Sequence, residues 1–214
     1  MQNGDIIRIT YIGKVKEADK EMDKAENVPI IVGAGNVIKG VDEALMMMHV
    51  GEKKIVEIPP DKAFGPRKID LIKLVPLAEF RRHGQSPVPG MTVEADNMRG
   101  RVMSVSSGRV QVDFNHPMSG KTLVYNLEIT KQEQEPKGKV LAVVQFYTKI
   151  ENIDVSVHEK EVDIKLPHMI SQLLVVYKKK IADDLMKFLG FEKVKFYEVF
   201  EKGKEEPVDI PENI

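Results

Sequence analysis

The sequence of 214 residues contains no cysteine, which removes disulfide exchange and thiolate catalysis from consideration. It also lacks an excess of either charge. Lys and Arg number 32 against 33 Asp and Glu, for a net charge of -1, so nothing draws the chain electrostatically toward nucleic acid or a membrane surface. Two basic runs, Arg81-Arg82-His83 and Lys178-Lys179-Lys180, have acidic neighbours and read as solvated faces. No apolar run approaches membrane-spanning length. Met1-Gln2-Asn3-Gly4-Asp5 carries neither a basic region nor a long apolar stretch, so no secretory signal is visible and the cytoplasm is the expected location. The histidines, His49, His83, His116, His158 and His168, show no paired spacing on one helix, and no metal or other cofactor is expected.

The most informative segment runs from Val37 to Gly65, VIKGVDEALMMMHVGEKKIVEIPPDKAFG. After Gly40, Val41, Ala44, Leu45 and Met48 recur at helical spacing and define one apolar face. Asp42 and Glu43 sit in the first turn, favourable at the positive end of the helix dipole. Gly51 is placed to end this helix in a left-handed conformation. Lys54-Ile55-Val56-Glu57-Ile58 reads as a strand stopped by Pro59-Pro60. Met48 belongs to the buried face, so the Met46-Met47-Met48 run is read as packing with at most two side chains exposed.

Between Pro66 and Asn115 the chain has its own turns and alternations. Leu77-Ala78-Glu79-Phe80 suggests a short helical turn after Pro76. Met91, Val93 and Ala95, then Arg101 to Val105, a Ser106-Ser107-Gly108 turn and Val110-Gln111-Val112 suggest a small antiparallel sheet. Lys131 to Lys139 is polar and holds both breakers, which suits a linker. Beyond it lie a helix containing Val140, Val143, Val144, Tyr147 and Ile150, a hairpin about His158-Glu159-Lys160-Glu161, a helix from Ile170 to Leu189 stopped by Gly190, and a last strand from Lys193 to Phe200. The residues from Glu205 onward read as a disordered tail.

Five motifs in this order resemble the FKBP-type peptidyl-prolyl isomerases, and in particular their SlyD-like branch and the long-chain archaeal members. They are Gly4-Asp5 with Ile6-Ile7-Arg8-Ile9-Thr10-Tyr11; Met22-Asp23; Val32-Gly33-Ala34-Gly35 with Val37-Ile38-Lys39-Gly40; Asp61-Lys62-Ala63-Phe64-Gly65; and Val112 to Leu123, VDFNHPMSGKTL. The resemblance implies an α+β fold in three parts. An FKBP-like antiparallel sheet wrapped on a short helix (1–67 and 115–131) carries catalysis. A small, mainly β insert-in-flap domain (68–114) acts as a chaperone lobe. After a linker (132–139) comes a C-terminal α-β-β-α-β domain (140–203), then a tail (204–214).

It further implies catalysis of X-Pro isomerisation, with unfolded or partly folded proline-containing polypeptides as partners and neither nucleic acid nor membrane. Asp23, Tyr11, Ile38 and Phe64 are the implied catalytic residues. Asp23 would sit beside the twisting amide, oriented by the Tyr11 hydroxyl, and the Ile38 N–H would donate to a substrate carbonyl. Met22, Ile30, Val37, Val41, His116, Met118 and Tyr125 are the implied substrate-binding residues. On residue type alone, Ile30, Val37, Val41 and Tyr125 read as core positions in any fold, and His116 as a turn residue before Pro117. Phe64 stands where the family often has tyrosine, Val41 replaces a larger floor residue and Met22 an aromatic wall. A missing neutral hydrogen bond costs only about 0.5–1.5 kcal/mol, so turnover is expected to survive better than affinity for rigid macrolides. A non-catalytic holdase with a vestigial pocket remains the alternative. A homodimer formed through the apolar face of Ile170–Leu189 is also open, as is packing of that face on its own sheet.

Overall fold

One strand organises the larger part of the chain, because it is apolar or half-buried on both faces. In the computed structural model, which describes residues 1–18, 20–95, 98–150, 153–166, 171 and 174–199, β1 spans Ile6–Val15. Alternation places Ile7, Ile9, Tyr11 and Gly13 on one side and Ile6, Arg8, Thr10 and Ile12 on the other. Ile7 and Ile9 are completely buried, and so is Ile6 on the opposite face. β1 pairs antiparallel with β2 (Lys20–Ile31). α1 (Lys39–Met46) and β3 (Lys53–Ile58) follow.

The chain then runs through β4 (Ile72–Pro76), α2 (Leu77–Arg82), β5 (Thr92–Ala95), β6 (Met98–Ser106) and β7 (Arg109–Asp113). It continues as β8 (Leu123–Gln132), α3 (Pro136–Thr148), β9 (Asp154–Val157), β10 (Glu161–Lys165), α4 (Val175–Leu189) and β11 (Lys193–Tyr197). This is a mixed α+β chain of small sheets and few helices, consistent with the FKBP-like fold expected. It divides into two compact units, 1–58 with 124–214, and 59–123.

The first unit contains a sheet in the order β2-β1-β8-β3, which makes β1 and β8 its central strands. α1 packs on β3 and buries Val41, Ala44 and Leu45. It stops at Met46, earlier than expected, because its last turn tightens: the Met47 N–H donates to Ala44 O at 3.1 Å and the Met48 N–H to Leu45 O at 3.2 Å. Gly51 does take a left-handed conformation, with φ 84°, but it turns the chain into β3 rather than capping the helix. Its N–H donates to Ile129 O at 2.7 Å. Met48 is fully buried, whereas Met47 is 65 % exposed.

The same unit contains a second sheet, β11-β10-β9. β9 and β10 form the expected hairpin, while β11 lies parallel to β10 because α4 carries the chain back across. α3 begins at Pro136, so Pro136–Lys139 of the expected linker form its first turn. Proline is favoured there because its missing N–H would be unpaired anyway. Ile170, where the last helix was expected to begin, lies outside the described residues, as do Phe200 and the tail. The apolar face of α4 is spent internally: Ile181 and Leu185 are fully buried in a core with Val140, Val143, Val144, Val155, Val162 and Ile164. Ile181 and Leu185 of the face considered for a homodimer thus pack in the chain's own core, whereas Val175 and Val176 at the start of α4 are 66 % and 71 % exposed. Ile6 and Ile31 enter this core from the first sheet.

A charged cluster reinforces that junction. Arg8 Nε donates to Glu133 Oε1 at 2.7 Å, and Arg8 Nη2 to Gln145 Oε1 on α3 at 2.9 Å. Lys131 Nζ lies 2.7 Å from Glu133 Oε2, and the Glu133 side chain is only 6 % exposed.

The second unit is a sheet in the order β4-β7-β6-β5, antiparallel throughout, with α2 against β4. Its core is Phe80, Val93, Val102, Val110, Val112 and Phe114. β4 was not anticipated. Its Lys73-Leu74-Val75-Pro76 run sits at a sheet edge, where a proline costs no ladder bond. Asn115 ties the two ends of this sheet, donating from Nδ2 to Lys68 O at 2.9 Å and accepting the Lys68 N–H at 2.8 Å.

The Glu133 cluster makes a prediction. Burial pushes the Glu133 carboxyl upward, but Lys131 and Arg8 outweigh it and leave it below the ordinary 4.5. A depressed carboxylate contributes stability that is present above its unfolded value and lost as pH falls through the folded one. Glu133→Ala should destabilise the chain by about 1–3 kcal/mol at neutral pH, because the part-buried Arg8 loses its charged partner. In denaturant unfolding, the gap from wild type should narrow as pH falls below 4.5.

Candidate active site

Two central strands and one edge strand bring the first group of site residues together. In the β1–β2 register Gly13 lies opposite Asp23, and Tyr11 lies opposite Ala25. Tyr11 and Asp23 are thus diagonal neighbours on one face, within reach for a long side chain. The Tyr11 hydroxyl donates to Asp23 Oδ2 at 3.0 Å. From β8 on the other side of β1, Tyr125 approaches Tyr11 with ring centroids 5.9 Å apart and an interplanar angle of 48°. Tyr125 is 6 % exposed.

The electrostatics follow from burial beside a carboxylate. Desolvation, then the hydrogen bond and charge of Asp23, push the Tyr11 phenol well above its ordinary 10. Burial, with a smaller contribution from Asp23, pushes Tyr125 up to about 12. Both hydroxyls therefore remain protonated donors across the neutral range.

Met22 is half-buried and has no residue opposite it. The register slips there, from Gly13↔Asp23 to Lys14↔Glu21, a bulge of the kind that re-aims side chains beside sites. Ile30 is 3 % and Val41 3 % exposed, whereas Val37 and Ile38 are half-buried. Ile38 precedes α1 in an extended conformation, φ -60° and ψ 145°. Its carbonyl accepts the N–H groups of Val41 and Asp42 at 2.9 and 3.1 Å. Among the described residues its own N–H has no acceptor.

Asp42 does more than complement the helix dipole. It is 8 % exposed and folds back so that Oδ1 accepts the Gly33 N–H at 2.7 Å and Oδ2 the Gly35 N–H at 3.4 Å. This braces the turn that leads to Ile38, with Gly33 at φ 76°.

The remaining site residues belong to the second unit. Phe64 and His116 stack face to face, with centroids 4.3 Å apart and planes 3° from parallel. His116 Nδ1 accepts the Met118 N–H at 3.2 Å, so the ring's donor position is Nε2. Ser119 Oγ donates to Phe64 O at 3.1 Å and Gly120 N–H to Gly65 O at 2.9 Å, which pins the aromatic loop. Of the residues expected from sequence, then, Tyr11, Asp23 and Tyr125 form one cluster and Phe64, His116 and Met118 another. Two contributors were missed, Gly13 and Asp42 in its bracing role. A glycine inside an alternating strand was the available signal for the first. Among the described residues no three His, Asp or Glu side chains converge as a metal would require, and no helix is long and apolar enough to cross a membrane.

Comparison with known proteins identifies the scaffold. A short-type peptidyl-prolyl cis-trans isomerase from Methanocaldococcus jannaschii is 33 % identical over 144 residues, 60 % of this chain and 92 % of the relative. The chain belongs to the FKBP-type peptidyl-prolyl cis-trans isomerase family. A probable FKBP-type 16 kDa isomerase from Pseudomonas fluorescens is 31 % identical over 60 % of this chain and 80 % of its own length. The SlyD isomerase of Helicobacter pylori is 26 % identical over 66 % of the chain and 83 % of its own. The family model for the FKBP26 IF domain matches residues 73–118, and that for the FKBP26 C-terminal region matches 136–201.

The phenol electrostatics are testable. A group whose folded pKa is raised contributes stability that is complete below its unfolded value and lost as pH rises through the folded one. Tyr11 and Tyr125 should thus add stability below pH 10 that fades above it, for Tyr125 through about 12. Asp23→Asn removes the charge and should bring both ionisations back toward 10 in an ultraviolet or NMR titration, Tyr11 the more strongly.

Proposed function

We propose that this chain accelerates cis–trans isomerisation of X-Pro bonds in folding polypeptides, and that residues 68–114 form an insert-in-flap lobe that holds unfolded segments. The Tyr11–Asp23–Tyr125 cluster, on the central sheet of a chain that belongs to an isomerase family, carries this reading.

Rotation about the prolyl amide breaks resonance. The barrier for a peptide bond is about 18–20 kcal/mol, and the uncatalysed step takes about tens to hundreds of seconds. No proton need move. An enzyme need only bind the twisted amide better than the planar one. The twisted form has lost charge separation, so an apolar lining of Met22, Ile30, Val37, Val41 and Tyr125 penalises it less than the planar form. The Ile38 N–H, without an acceptor of its own among the described residues, would take a substrate carbonyl. Asp23, held by Tyr11, would sit beside the rotating amide. Phe64, His116 and Met118 are assigned to substrate by resemblance, as the aromatic cap and flap rim. The proposed division is a catalytic domain (1–67, 115–131), the insert (68–114) and a C-terminal domain (140–203), at work in the cytoplasm.

A specific observation supports the chaperone assignment. The second unit exposes Ile69 at 83 %, Leu74 at 61 %, Val88 at 59 % and Met103 at 43 %, apolar surface of the kind that marks interaction sites when it is contiguous. The same observation favours the competing reading, a holdase whose pocket is vestigial. Asp23→Ala separates the two. By NMR exchange spectroscopy on a short Ala-Pro peptide, the wild type should speed exchange and Asp23→Ala should slow it by about tenfold or more, with suppression of aggregation retained. An inert wild type that still suppresses aggregation would leave the holdase.

Deleting Lys68–Phe114 and closing the loop should preserve peptide turnover while sharply lowering catalysis of a refolding protein, because the lobe supplies local concentration. Equal losses on both substrates would count against the division of labour.

A further inference from the structure

Gly13 is the one position on the substrate-facing side of β1 without a side chain, and its surroundings explain why. It lies directly opposite Asp23 in the β1–β2 register, two residues from Tyr11 on the same face. A Cβ built there would fall 2.7 Å from Tyr125 Cε1, 2.8 Å from Cζ and 3.2 Å from the hydroxyl oxygen. Carbon atoms do not approach that closely without displacement. The end of the Tyr125 ring therefore occupies the volume that any other residue at position 13 would fill. The backbone does not require glycine, since Gly13 is absent from the positive-φ positions and alanine there would be unstrained. The demand is steric and comes from one ring.

We infer that Gly13 is a positioning residue for the proposed isomerase: by leaving its face of β1 empty, it seats the Tyr125 ring over the strand against Tyr11 and beside Asp23. This inference rests on the isomerase reading above and goes beyond it by naming what sets the placement of the pocket's aromatic wall. Tyr125 is 6 % exposed, so a displaced ring has little free volume to enter. It would press on Tyr11, 5.9 Å away between centroids, and so on the hydroxyl that holds Asp23 at 3.0 Å. Gly13 acts without touching substrate.

A double-mutant cycle in the full-length chain tests this, comparing wild type, Gly13→Ala, Tyr125→Leu and the double variant on the Ala-Pro peptide. Leucine at 125 is shorter and leaves room for the alanine methyl. Gly13→Ala alone should lower turnover about tenfold or more, since a misplacement of about 1 Å can cost about a hundredfold. It should also shift the Tyr125 and Tyr11 ring resonances in an otherwise native spectrum. In the Tyr125→Leu background the same substitution should cost nothing. An equal penalty in both backgrounds would overturn the assignment. So would a Gly13→Ala chain with full turnover and unshifted ring resonances.

If Gly13→Ala fails to fold, the double variant decides: folding and turnover equal to Tyr125→Leu support the proposal, and lower turnover or failure to fold refutes it. A wild-type chain that does not speed exchange at all would instead remove the isomerase reading and this inference with it, an outcome distinct from an active enzyme with an additive cycle.

Discussion

The structure of the larger unit depends on strand β1 being buried from both sides. An ordinary antiparallel sheet presents one dry and one wet face, and its strands alternate apolar and polar residues accordingly. β1 breaks that rule at its beginning, where Ile6 and Ile7 are both fully buried. Ile7 faces the same side as Tyr11 and the site, whereas Ile6 enters the core built by α3, β9, β10 and α4. The packing of the C-terminal elements and the seating of the Tyr11–Asp23–Tyr125 cluster are thus borne by adjacent residues of one strand. The Arg8–Glu133 pair on the same face as Ile6 fixes this junction with charge. Such a pair is sensitive to the loss of either member, because the survivor is left charged and poorly hydrated.

The opposite face of β1 is arranged by subtraction. Tyr11 from β1, Asp23 from β2 and Tyr125 from β8 converge because Gly13 contributes nothing between them. Burial first, and the neighbouring Asp23 carboxylate after it, suppress ionisation of the half-buried Tyr11 and the buried Tyr125. Bracing extends to the backbone: Asp42 binds the amides of Gly33 and Gly35 and so steadies the turn that presents Ile38. For a reaction that needs only discrimination between a planar and a twisted amide, geometry held in advance is the main resource available to a protein.

Much of this was legible in the residues. The apolar spacing of Val41, Ala44, Leu45 and Met48 identified α1, and the alternations about 92–112 and 155–166 identified the strands of two small sheets. Period and turn chemistry are local, so they survive in a single sequence. The pairing of Tyr11 with Asp23 was legible only through resemblance to a family, since nothing in either residue's neighbourhood specifies the other. The early end of α1 escaped because a tightened last turn competes with a glycine that looks like a cap. β4 escaped because a proline at its end disguised an edge strand, and the start of α3 because Pro136 read as a breaker in a polar run.

By itself, the sequence determined the local elements, the absence of thiol chemistry, the near-neutral charge and, through its ordered motifs, membership of an isomerase family. Tertiary structure alone decided that β11 runs parallel to β10, that the apolar face of α4 is spent inside its own core, that Asp42 turns back on a loop and that Gly13 makes room for Tyr125. Apart from the Asp42 bonds, which span only 7 and 9 residues, each of these is a relation between residues far apart in the chain. Local propensity carries no information about which distant side chain will claim a given volume, hydrogen bond or strand edge; close packing does.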